Sequence, residues 1–247
     1  MTEPELHAVV AGDIVGSTEL DAQVRRNLAG ILEDAYETVL STYGDALPYE
    51  LALSAGDEWR LYIARPEVAL AVSLAFYARL KERDITSRLV LAIDEIDFIE
   101  DGDLHNSDGA AFRRAGRGLA AVLGEQWRFA LLLPDDENPL GELCGEFLGE
   151  LVDILLKELT PAQARAVAEM ICLSRGDQRV TTTEIARRWK PDEITRQAVG
   201  KHLQRAGWSV FERTLNRYER MIGEIEMGYH VVLYEDRMME FEERHGD

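Results

Sequence analysis

The chain has 247 residues, 46% of them hydrophobic and 30% charged, with a net charge of −19. That length buries one or two ordinary cores, and the even mixing of charged with apolar residues excludes a disordered chain. So acidic a balance also excludes nucleic-acid binding through the whole surface, because phosphate affinity comes largely from Lys and Arg displacing counterions.

The charge is unevenly spread. Residues 161–220 hold 12 Lys and Arg against 7 Asp and Glu, a local balance of +5, so one segment is kept basic within an acidic protein. Cys144 and Cys172 lie far apart with no CxxC or paired histidines nearby, so neither a disulfide framework nor a zinc site is expected. MTEPELHAVVAGD carries no basic leader, and no apolar run approaches the roughly 20 residues that cross a bilayer. The expectation is a cytoplasmic protein with no membrane partner.

HAVVAGDIV (7–15) reads as a buried strand ending in Gly and Asp. Ser17 and Thr18 then offer N-caps for a helix whose stripe is Leu20, Val24, Leu28, Ile31, Leu32, Ala35 and Val39. YELALSAGDEWRLYIA reads as a hairpin turning around Ala55-Gly56-Asp57. Residues 67–83 are helical by pattern, 88–99 a strand, 108–123 a helix and 128–134 a strand. This order implies an α/β sheet covered by helices over 1–139.

Residues 140–159 form a connecting helix with Leu140, Cys144, Phe147, Leu151, Leu155 and Leu159 on one face, to pack on its own domain or, on a weaker heptad argument, to dimerise. Thr160-Pro161-Ala162-Gln163 and Thr181-Thr182-Thr183-Glu184 are capping boxes that each open a helix, and Pro191 breaks the second one. Thr195 caps a further helix that ends at Gly207, with Ala198, Val199 and Leu203 inward and Arg196, Gln197, Lys201, Gln204 and Arg205 outward. Two short helices around a tight turn, the second outwardly basic, are what a helix-turn-helix needs to enter the major groove, so residues 160–247 read as an all-α DNA-binding domain. An ordinary helical hairpin, or a helix-turn-helix for protein contact, fits the same pattern.

Asp13 ends the first strand and Asp57 tips the hairpin, so neighbouring strands would bring both carboxylates to one sheet edge, where they could hold Mg²⁺ or Mn²⁺ for nucleotide phosphates. Asp is also common in strand-end turns for conformational reasons. GDIVGST (12–18) resembles the first metal-binding motif of class III nucleotidyl cyclases, and AGDEWRLYI (55–63) resembles the second and the GGDEF signature of diguanylate cyclases. The order GDIVGST, GDEW, RLVLAIDEI, DGAAF and TTTEIARRW is similar to the SatD family, over most of residues 7–210.

The resemblance implies a ferredoxin-like palm, Asp13 and Asp57 as metal ligands, and a triphosphate bound by backbone N–H groups at Gly16, Ser17 and Thr18. It also implies a homodimer in which Arg117 stabilises the transition state. Arg113 stands where cyclases place Asn, and Leu53 where they place a base-recognising Lys. Three functions follow: a DNA-binding regulator whose cyclase-like domain binds a nucleoside triphosphate with metal, an active nucleotidyl cyclase, or a dimerisation scaffold that has lost its ligand.

Overall fold

In a computed structural model of the chain the described residues are 5–245, except 55–56, 123–126, 135–138, 175–179 and 192. For residues 228–245 the description is of the helical backbone.

Strand β1 (Leu6–Ile14) is buried along almost its whole length, which explains its apolar run without alternation: both of its faces are covered. It pairs antiparallel with β3 (Glu58–Ile63) on one side and β4 (Ser87–Glu95) on the other. β2 (Ala52–Ser54) continues beyond β3, and β7 (Phe129–Leu132) runs parallel to β4, giving the order β2-β3-β1-β4-β7. The first four strands and their helices follow the β-α-β-β-α-β order. Between β4 and β7 lies a separate ribbon, β5 (Phe98–Glu100) with β6 (Asp103–Asp108). The sequence pattern had merged β5 into β4, because Phe98 and Ile99 continue its apolar character.

Helices α2 (Leu28–Tyr43) and α3 (Ala69–Lys81) cover one sheet face, where Val10, Trp59, Leu61, Leu91 and Phe129 meet Leu32, Val39, Leu74 and Phe76. Helix α4 (Ala110–Val122) covers the other, laying Ala111, Phe112, Ala115 and Leu119 on Val9, Ala11, Tyr62 and Val90. The single helix expected after Ser17 is broken. A 3-10 turn spans Ser17–Glu19 after Gly16 in the left-handed region (φ 65°), and α1 (Ala22–Arg26) is capped by Asp21, not by Ser17 or Thr18. The chain breaks again at Asn27 before α2.

Helix α5 (Pro139–Lys157) rolls away from the expected face. Gly145 and Gly149 lie against Leu131, where an added Cβ would stand 3.1 and 3.2 Å from its backbone, and the buried face runs on through Val152 and Leu156. Cys144 is therefore exposed, as are Phe147 (65%) and Leu151 (37%), while Leu159 is buried and Leu155 partly so. The Leu140 side chain lies outside the described residues.

Helix α6 (Pro161–Leu173) is opened by the expected Thr160 capping box and buries Ala164, Val167, Ala168 and Ile171 in the main core. Helix α7 (Thr182–Arg188) begins at the second capping box, on Thr181, and α8 (Arg196–Arg205) is capped by Thr195. Ile185, Trp189, Val199 and Leu203 close a small core over Ala166. Helix α9 (Trp208–His245) returns to the main core through Phe211, Tyr218 and Ile222, and the Tyr218 hydroxyl donates to the Pro66 carbonyl at 2.8 Å. Among the described residues, no helix is long and apolar enough to cross a membrane.

Candidate functional site

The C-terminal end of β1 is pinned on both sides: the Ile14 N–H donates to the Asp57 carbonyl at 3.1 Å and the Val15 N–H to the Thr86 carbonyl at 2.9 Å. The strand-end acid and the hairpin acid thus share one mouth. In register, Asp13 stands opposite Glu58 on β3 and Arg88 on β4, which puts all three side chains on the α4 face. The Arg88 guanidinium donates to Asp13 Oδ2 at 2.8 Å, and both side chains are largely buried, 17% and 12% exposed. Asp13 Oδ1 is buried and has no hydrogen-bond partner among the described residues.

This environment disfavours the charge. Burial raises the Asp13 carboxyl above the usual aspartate value of 3.8, Arg88 pulls it back, and the nearby Asp57 and Glu58 add to the rise. A cation held beside Asp13 and Asp57 would satisfy the unpaired oxygen and offset the lost hydration that raises this carboxyl's pKa. Asp57 completes the approach and takes the Ser17 hydroxyl on Oδ2 at 2.6 Å. Among the described residues no three acids, histidines or cysteines form a metal-sized cluster. Two carboxylates are too few for an all-protein cage, so an ion held by them would be one that keeps water and phosphate oxygens as its other ligands, such as Mg²⁺ or Mn²⁺.

The backbone under Asp13 is rigid. Trp59, 1% exposed, donates its indole N–H to Ser87 Oγ at 3.1 Å, and that hydroxyl donates in turn to the Asp13 carbonyl at 2.6 Å. Beside the acids is a small open cleft of about 110 Å³, with Ser54, Glu58 and Arg60 on one wall and Gly116, Leu119 and Ala120 of α4 on the other. That is below the roughly 300–1,000 Å³ of an ordinary ligand pocket, so a nucleotide would lie mostly across the open mouth.

The structure brings together Asp13, Asp57, Gly16, Ser17 and Thr18. It does not bring in Arg113, whose guanidinium is tied to Asp97 (3.0 Å) and Asp108 (2.9 Å) on the β5–β6 ribbon. Arg117 is exposed on the outer face of α4 and pairs with no other described residue. Leu53 gives its carbonyl to the His105 ring at 3.0 Å; Gly56 lies outside the described residues. Arg88 and Arg60 were missed. Their signal is strand register, since Arg60 faces Ala11 as Glu58 faces Asp13. On α8, Arg196, Gln197, Lys201, Gln204 and Arg205 are all exposed, while Val199 and Leu203 are buried.

No family model matches the chain, and no curated protein matches it in sequence. Among solved structures it overlaps a bacterial light-regulated adenylyl cyclase at 19% identity, covering 53% of this chain and 44% of that one, with a TM-score of 0.39. It also overlaps the adenylyl cyclase CyaB from P. aeruginosa at 18% identity, covering 49% of this chain and 74% of that one, with a TM-score of 0.33. The chain thus spans less than half the length of the light-regulated enzyme. Overlaps at these TM-scores assign neither an activity nor any residue's role here.

Proposed function

We propose that the chain is a DNA-binding regulator whose α/β body takes up a nucleoside triphosphate together with Mg²⁺ or Mn²⁺. The observation that carries the reading is Asp13: a buried strand-end carboxylate with one oxygen fixed by Arg88 and the other unpaired, beside Asp57. Asp13 and Asp57 would hold the ion, which supplies the positive charge that joins protein carboxylates to phosphate oxygens. The turn after β1 stands beside Asp57 through the Ser17 hydroxyl, and its backbone N–H groups at Gly16, Ser17 and Thr18 would serve as donors to anionic phosphate oxygens. Arg88 pulls the Asp13 carboxyl back toward the ionised form, in part offsetting its burial. Residues 160–247 form the DNA module, with the exposed row of α8 as the reading surface.

A working nucleotidyl cyclase, a phosphorus-oxygen lyase, is the second reading, and Arg117 favours it: an exposed guanidinium with no described ion-pair partner can meet phosphate charge carried by a second copy in a homodimer. Its product would be marked by pyrophosphate, released more slowly by Arg117→Ala than by the wild type.

The test of the first reading is thermal unfolding of the purified protein with each common nucleoside triphosphate and either Mg²⁺ or Mn²⁺. A ligand at 100 times its Kd stabilises by about 2.7 kcal/mol, and at this chain length that moves Tm by roughly 5–10 °C. Asp13→Ala and Asp57→Ala, still unfolding cooperatively, should lose the shift. No shift with any triphosphate and either metal ends this reading.

A further inference from the structure

Helix α9 is 38 residues long and is seated on the core by Phe211, Tyr218, Ile222 and, partly buried, Ile225. Met227, the next apolar residue, is 65% exposed. From there Met227, Val231, Tyr234, Met238 and Phe241 follow one another at alternating spacings of four and three. Such alternation keeps a stripe on one side of a helix that winds around a partner at 3.5 residues per turn, and in heptad lettering the five occupy d, a, d, a and d. A competing stripe through Ile225, Tyr229, Val232 and Met239 is interrupted by Asp236 and Glu243. Most helical stability in proteins comes from packing an apolar face, so the stripe calls for a second surface.

We propose that residues 227–245 pair in parallel and in register with the same segment of a second copy. The charges choose both partner and direction. The g positions are His230, Arg237 and Arg244, and the e positions after the first are Glu235 and Glu242. In a parallel pair each g position meets the next e position of the other chain, which sets His230 against Glu235 and Arg237 against Glu242. An antiparallel pair would set g against g and e against e, arginine facing arginine and glutamate facing glutamate. The segment is therefore complementary to itself in one orientation, which is what a second copy requires and an unrelated helix does not explain. The inference stands on α9 alone and is independent of whether the mouth at Asp13 binds a nucleotide.

The test uses the full chain with Cys144→Ser, which removes the exposed thiol, and Phe241→Cys at a d position. Mild oxidation at micromolar concentration should give a disulfide-linked dimer, since facing d positions of a parallel pair come within bonding reach. Tyr234→Asp, which puts a charge at a d position, should abolish the cross-link while the chain still unfolds cooperatively. Arg237→Glu should reduce it several-fold, and Arg237→Glu combined with Glu242→Arg should restore it. Absence of the cross-link overturns the proposal. So does a cross-link that survives Tyr234→Asp, or a double charge variant that behaves like the single one.

Discussion

Asp13 shows how a single side chain couples the site to pH. Its pKa is raised by burial, so the folded state holds this proton more tightly than the unfolded chain does. Folding stability from this group is therefore lost as pH rises from 3.8 through the raised value, and the deficit persists at neutral pH. A divalent cation needs the ionised form, so its affinity should fall by about tenfold per pH unit once pH drops below the folded pKa, which happens at higher pH than for an ordinary aspartate. Asp13→Asn separates the two effects. With chelator at pH 7 the variant should unfold no earlier than the wild type, and with Mn²⁺ only the wild type should gain. Were the variant clearly less stable without metal, the Arg88 pairing would outweigh burial, and Asp13 would be structural. Both acids could be picked out in the sequence because one closes the first strand and the other tips the hairpin turn. Arg88 and Arg60 could not, because they enter only through register across β1, and pairing partners many residues apart leave no local pattern.

At the scale of elements, what could be read was what local chemistry decides. The capping boxes at Thr160 and Thr181 and the Thr195 cap all stand where residue types three apart placed them, since a cap satisfies its own backbone donors. The face of α5 was misread because periodicity ranks residues by apolarity, whereas β7 accepts the helix where its small residues allow close approach. The same close approach makes Gly12 the most constrained point of β1. An added Cβ would meet Trp59 at 2.3 Å and the Arg88 carbonyl at 2.7 Å, and Trp59 is fixed by burial and by its bond to Ser87. Gly12→Ala should therefore cost about 1–3 kcal/mol. Gly223→Ala, in α9 with nothing within 4 Å of the new methyl, should have the opposite sign at about 1 kcal/mol. Urea unfolding of the two variants checks the contrast, and equal effects would mean that β1 relaxes around Trp59.

Across the whole molecule, the alternation of strand and helix patterns anticipated the central sheet, whereas the seating of the C-terminal helices needed the tertiary fold. Helix α6 shares its faces between the main core and the small core of α7 and α8, and α3 meets it through Arg79, which donates to Glu169 at 3.0 Å while Arg188 of α7 reaches the same carboxylate at 3.3 Å. The proposed DNA surface is thereby fixed to the body. The body is acidic and repels a duplex, so affinity should come from the exposed row of α8, should be weak for one copy, and should rise when two copies place their α8 helices about one DNA turn apart. Binding should fall steeply with salt, since phosphate contacts release counterions. Lys201→Ala should weaken binding to every sequence alike, whereas Gln197→Ala should mainly relax sequence preference, at roughly 1–3 kcal/mol for a lost base contact. A mobility-shift titration at low salt, using DNA from upstream of the protein's own coding sequence and a scrambled duplex, measures both. Equal and negligible retardation of the two duplexes would leave α7 and α8 as a protein-contact element.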